Sequence, residues 1–147
     1  MLKHELIHFL LTLGLSIILF IFFHDLRLMP IAFLFGFFVD VDHLFDYLKW
    51  KKRNFSLKEF FTPSVYARGS KKTYVPFHGW EFLPLIYFLG NLLRIKLSIE
   101  GLQWAATLAY FGHMFWDQIY VSPKPLAYFF IYRLINNFDL KEFDRKQ

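Results

Sequence analysis

Five of the six histidines in this chain have another histidine or a carboxylate three or four residues away: His4 with His8, His43 with Asp40, His78 with Glu81, and His113 with Asp117. On a helix that spacing puts both side chains on one face. Imidazole and carboxylate together form a donor set suited to zinc, manganese or iron(II). These groups sit next to Phe- and Leu-rich runs, where they are costly unless they pair, hydrogen-bond or hold an ion. The densest group is Asp40-Val41-Asp42-His43, three donors in four residues directly after Phe-Gly-Phe-Phe-Val. Gly36, one turn before Asp40, would let a second helix approach so that ligands from two helices share an ion. Each pair also has a plainer reading. His113 and Asp117 could share a hydrogen bond within one helix, and Glu81 could complement a helix N-terminus. His24 has no such partner and reads as an interfacial loop residue.

His4-Glu5-Leu6-Ile7-His8 also spells HExxH, in which two histidines hold zinc and the glutamate activates water. That reading leaves Asp40, Asp42, His43, His113 and Asp117 without a role. The larger constellation accounts for more residues, with His8 as a ligand and His4 and Glu5 behind it or facing solvent. There is no cysteine, so disulfides and thiolate metal sites are excluded.

The elements that must carry these donors read as helices at about 3–23, 27–50, 78–96, 101–120 and 124–138. A basic connection, 51–76, joins the second to the third, and residues 124–147 form a C-terminal helix and tail. At 147 residues the chain fits one domain, 1–147, and its composition is 56% apolar and 20% charged. The 21 Phe, 8 Tyr and 4 Trp exceed what a core of this size needs, and a bilayer interface accommodates the excess. The run from Leu6 to Phe23 is about long enough to span a bilayer, and it lacks the basic start and cleavage site of a signal peptide. The expected fold is therefore all-α, a polytopic membrane bundle of about four to five helices.

If four helices cross and the N-terminus is cytoplasmic, 14 of the 17 Lys and Arg residues fall on the cytoplasmic side. The same arrangement gathers His8, Asp40, Asp42, His43, His78, His113 and Asp117 at that one face. Scattered structural polar residues would divide between the faces, so the agreement predicts one assembled metal site. Lys49, Lys51, Lys52 and Arg53 would ring it, positioned for an anionic lipid phosphate. The net charge of +5 is concentrated in one loop and the tail rather than in a groove-reading motif, so membrane lipid is the expected partner and nucleic acid is not.

The order of an early His8, then Gly36 to His43 as G-x-x-x-D-x-D-H, then His78, then Gly112 to Asp117 as G-H-x-x-x-D resembles the membrane-bound metal-dependent hydrolases. These are related in motif to the helical zinc-dependent phospholipase C enzymes. The resemblance spans residues 4 to 117. By position it implies ligand roles for His8, Asp40, Asp42 or His43, His78, His113 and Asp117. Val39 stands where that pattern usually has Pro, and Glu81 stands where it often has a second His. The expected activity is hydrolysis of a phosphoester or phospholipid by metal-activated water, with zinc as the first candidate and Glu81 as a general base or extra ligand. Two other readings are a non-catalytic membrane protein with a structural His/Asp cluster and a peripheral helical module that binds lipid or a partner.

Overall fold

A computed structural model describes residues 2–52, 55–122 and 124–142. Among these residues the chain is all-helical: α1 Leu2–Phe23, α2 Leu28–Gly36, α3 His43–Lys51, α4 Leu57–Phe60, α5 Pro63–Ser70, α6 Phe82–Leu97, α7 Leu102–Tyr120 and α8 Phe130–Ile135. A 3-10 turn, Phe38–Asp42, joins α2 to α3, and Lys72 and Asp139 form an isolated antiparallel bridge.

The central element is α7, which packs against α1, α2 and α6. Its buried face starts at Leu102 and passes through Ala105, Ala106, Ala109 and Tyr110 to His113, Met114 and Asp117. Small residues in the first half let α2 come close, so Ala105 and Ala109 meet Leu28 and Ala32 in a core that also holds Leu19 and Ile99. The same stripe, two turns on, delivers a histidine and an aspartate. Gly36 allows the tightest approach: a Cβ there would lie 2.5 Å from Thr12 Oγ1 and 3.1 Å from Ala109 Cβ.

In α1 the usual distribution of polarity is inverted. His8, Thr12 and Ser16, each four residues after the last, are buried, while Leu10, Ile17, Ile21 and Phe22 face outward. The Ser16 hydroxyl is satisfied by donating to Thr12 O at 2.8 Å. The outward faces of α6 and α7 are likewise apolar, with Phe88, Leu92, Ile95, Leu108, Phe111 and Phe115 exposed. Among the described residues one helix, Lys3–Phe23, is long and apolar enough to cross a membrane, and the bent pair Leu28–Gly36 and Phe38–Lys51 would make a second if it counts as one broken span. At 16 residues, α6 extends about 24 Å, short of the ~30 Å hydrocarbon core.

Several boundaries differ from the sequence expectation for physical reasons. The second helix is not continuous over 27–50; it bends by 47° at Phe37. The third starts at Phe82 rather than at residue 78, because the backbone before it is held by other groups. Asp46 accepts the Tyr74 and Val75 N–H groups, Asp42 accepts that of Phe77, and Tyr128 O accepts that of Trp80. The 51–76 connection contains α4 and α5, and the C-terminal helix is confined to Phe130–Ile135.

Candidate metal centre

Four elements deliver the donors. The first turns of α1 carry His4 and His8, and the 3-10 turn carries Asp40. The 73–81 segment holds His78, and the last turns of α7 hold His113 and Asp117. One donor atom from each of Asp40, His78, His113 and Asp117 lies within 4.8 Å of the other three, and the same holds for His4, His8 and Asp117. This buried group can hold a metal ion. The carboxylate of Asp117 belongs to both sets: Oδ1 lies 3.0 Å from His4 Nε2 and 3.1 Å from His8 Nε2. Its Oδ2 lies 3.4 Å from His78 Nε2 and 3.6 Å from His113 Nε2.

The tautomers explain why a cation fits. His78 Nδ1 is 2.9 Å from Asp42 Oδ2, and His113 Nδ1 is 3.0 Å from Gly36 O. Both partners are acceptors, so each Nδ1 carries the hydrogen and each neutral ring presents a lone pair at Nε2. Those two Nε2 atoms face each other at 3.0 Å. Asp40 Oδ1 faces both, at 3.3 and 3.6 Å. Lone pairs converge there with no hydrogen between them, an arrangement that demands a positive charge. A tetrahedral ion with bonds near 2.0–2.1 Å separates its nitrogen and oxygen ligands by roughly 3.3 Å, in line with these spacings.

Without a metal the charge must be a proton. Burial alone would push the His78 imidazolium down, but the Asp42, Asp117 and Asp40 carboxylates more than offset it and hold the pKa well above the ordinary histidine value. Burial, with the Asp117 and Asp40 charges adding to it, raises the Tyr128 phenol well above its usual range, so it stays neutral beside the centre.

The segment carrying His78 is held from several sides. The Tyr110 hydroxyl accepts the Gly79 N–H at 3.0 Å and lies 2.8 Å from Phe77 O and 2.7 Å from Gly79 O, either of which can take its hydrogen. Buried Arg133 donates to Val75 O and to His78 O. The irregular backbone that presents the ligand is therefore held by the Asp42, Asp46, Tyr110 and Arg133 side chains and by backbone bonds from Trp80 to Tyr128 O and from Thr73 to Phe138 O.

Of the residues singled out in the sequence, His8, Asp40, His78, His113 and Asp117 converge. Asp42 stands behind His78 and orients it; the donor atoms of Asp42, His43 and His78 also form a third close group. His43 Nε2 is 3.5 Å from Asp40 Oδ1, at the edge of the main cluster. His4, expected behind the site or facing solvent, lies within it. Glu81 is engaged elsewhere, its Oε1 accepting the Ile131 N–H in the first turn of α8. Lys49 lies over the Tyr74 ring, Lys51 pairs with Glu59 at 2.7 Å, and Lys52 caps α3 with a positive φ. Arg53 lies outside the described residues. Sequence reasoning did not find Tyr110, Tyr128 or Arg133. An arginine in an otherwise apolar C-terminal helix was the one available signal.

No protein-family model, curated protein or solved structure matches this chain.

Proposed function

We propose that the protein is an integral membrane, metal-dependent hydrolase acting on a phosphoester, with a lipid phosphate as the preferred class. The observation that carries this reading is the division of Asp117: each of its oxygens faces a separate set of histidines, which is the donor arrangement for two neighbouring cations sharing one carboxylate. His78, His113 and Asp40 would hold one ion, His4 and His8 the other, and Asp117 both. Zinc suits this nitrogen-rich, buried donor set, with manganese or iron(II) as alternatives. Divalent ions bound there would supply Lewis acidity to a phosphoryl oxygen and acidify water. Asp42 and Gly36 O fix the ring orientations of His78 and His113, so the lone pairs are aimed before any ion arrives. Neutral Tyr128 hydrogen-bonds the Asp117 carboxylate, so it helps hold the residue that both sets of histidines share.

The membrane location is supported by the inverted polarity of α1 and the apolar outer faces of α6 and α7. In a polytopic arrangement with cytoplasmic termini the centre sits at the cytoplasmic headgroup level. The motif order from His8 to Asp117, similar to that of the membrane-bound metal-dependent hydrolases, points the same way.

The test is metal analysis of detergent-purified protein, prepared without chelator, beside His113→Ala and Asp40→Ala, together with phosphate release from a panel of lipid and soluble phosphoesters. Stoichiometric transition metal in wild type only, with metal-dependent phosphate release, is expected. Wild type without bound metal would overturn the reading.

A further inference from the structure

A cavity of about 380 Å³ runs between α1 and α7, and His8 and His113 of the metal centre form its inner end. Their rings stack there at 3.9 Å. Beyond Thr12 the walls are apolar, passing Gly14 and Gly112 to Ile18 and Leu108, and the outer rim is exposed. Between His8 and Ile18 the slot follows α1 for about 15 Å, half the ~30 Å hydrocarbon thickness and thus the depth of one leaflet.

Two independent features mark the slot as a place kept for a ligand. The first is the behaviour of its glycines. Gly36 and Gly90 are tight packing positions, where a Cβ would lie 2.5 Å from Thr12 Oγ1 and 2.9 Å from Gln103 Cα respectively. At Gly14 and Gly112 a Cβ would meet nothing within 4 Å, although both sit inside helices, where glycine is less favourable than alanine. Helix packing does not need these two glycines, and both open onto the slot. The second feature is His8, fully buried and lining the cavity, whose Nδ1 has no partner among the described residues. When Nε2 serves as a ligand, Nδ1 carries a hydrogen and needs an acceptor.

From these features we infer that the slot between α1 and α7 takes a single aliphatic chain of the substrate, with the phosphate at the metal centre and an oxygen near the head of the chain accepting from His8 Nδ1. This inference rests on the proposed lipid phosphoester activity and narrows it to substrates with a chain that leaves the bilayer sideways. The chain enters from the lipid phase between two helices, so the substrate need not be lifted out of the membrane.

The test uses metal-loaded full-length protein in nanodiscs and a homologous series from butyl- to hexadecylphosphonate, which bind without being hydrolysed. A dodecylphosphonate with a terminal diazirine serves for cross-linking. Affinity should rise by roughly fourfold per methylene and level off once the slot is filled. Cross-links should map to Ile18 or Leu108 and disappear on chelation. Gly112→Leu and Gly14→Leu, which project into open space, should fold and keep their metal while losing the chain-length dependence and the cross-link. Cross-links that survive chelation would mean bulk lipid fills the slot, and cross-links on α6 would place the chain in a second apolar groove of about 640 Å³, lined by Phe35, Leu85, Ile86 and Leu89. Either result overturns the inference, as does an unchanged chain-length profile in the leucine variants. Chelation-sensitive cross-linking without phosphate release from any ester would instead preserve the slot and refute the hydrolase reading.

Discussion

Replacing Asp42 with asparagine separates a residue that aims a ligand from one that is a ligand. Asp42 Oδ2 accepts two hydrogen bonds, from His78 Nδ1 at 2.9 Å and from the Phe77 N–H at 2.8 Å, while Oδ1 has no partner among the described residues. An asparagine carbonyl in the Oδ2 position keeps both bonds but removes the charge that makes the His78 bond strong. The amide nitrogen then occupies the Oδ1 position as a buried donor without an acceptor, a penalty of about 1–3 kcal/mol in stability. Loss of such a supporting partner typically costs 10–100-fold in metal affinity, equivalent to about 1.4–2.8 kcal/mol. Asp42→Ala goes further, because it also leaves the Phe77 N–H unpaired and frees the His78 ring to rotate. Competition titration against a chromogenic zinc chelator should therefore rank wild type above Asp42→Asn and Asp42→Asn above Asp42→Ala, with stoichiometry kept in the asparagine variant. Zinc binding as tight as wild type in Asp42→Asn would refute the supporting role. Complete loss of the ion in that variant would instead make Asp42 a direct ligand.

Asp117→Asn should reduce bound metal to at most one equivalent per chain, since the amide cannot bridge as a carboxylate does; elemental analysis of the purified variant reads this directly. Gly112→Ala should raise stability by about 1 kcal/mol through helix propensity alone, whereas Gly36→Ala should lower it by about 1–3 kcal/mol by driving a methyl into Thr12 and Ala109; paired thermal melts in the same detergent give the comparison. The raised His78 pKa adds stability to the metal-free protein that is fully present below the unfolded value near 6.5 and is lost as pH rises through the higher folded value. Metal must displace that proton, so affinity should weaken about tenfold per unit of acidification below the folded value. Calorimetry in two buffers of different ionisation heat should show proton release, and its absence would contradict the protonated apo state.

The periodic parts of this molecule were readable without coordinates. Spacing of four residues put His4 with His8 and His113 with Asp117 on shared helix faces, and the long apolar run of α1 was evident from Leu6 onward. The break at Phe37 was not legible, because nothing local requires it. It depends on Asp42 and Asp46 reaching residues 74–78, across a separation that sequence periodicity does not encode. His78 was found, but the helix expected around it was not, since Tyr110, Asp42 and Tyr128 hold that backbone instead. His4 was set behind the site because the HExxH reading leaves the other donors without a role, and Glu81 was raised by its spacing from His78, while its Oε1 accepts the Ile131 N–H of α8. In both cases the deciding partner comes from a distant part of the chain.

The clamp on the 73–81 segment has a consequence for how the protein is made. Every donor of the centre lies between His4 and Asp117, but His78 is secured by Arg133, and the Thr73 N–H by Phe138 O. A chain emerging from the ribosome thus displays a full set of ligands roughly 1–3 s before the residue that locks them arrives. An ion met in that interval would find His78 not yet locked and would be free to leave again. Firm capture of an ion would wait for the segment that carries Arg133 to dock, which would make α8 a timing element for loading the centre.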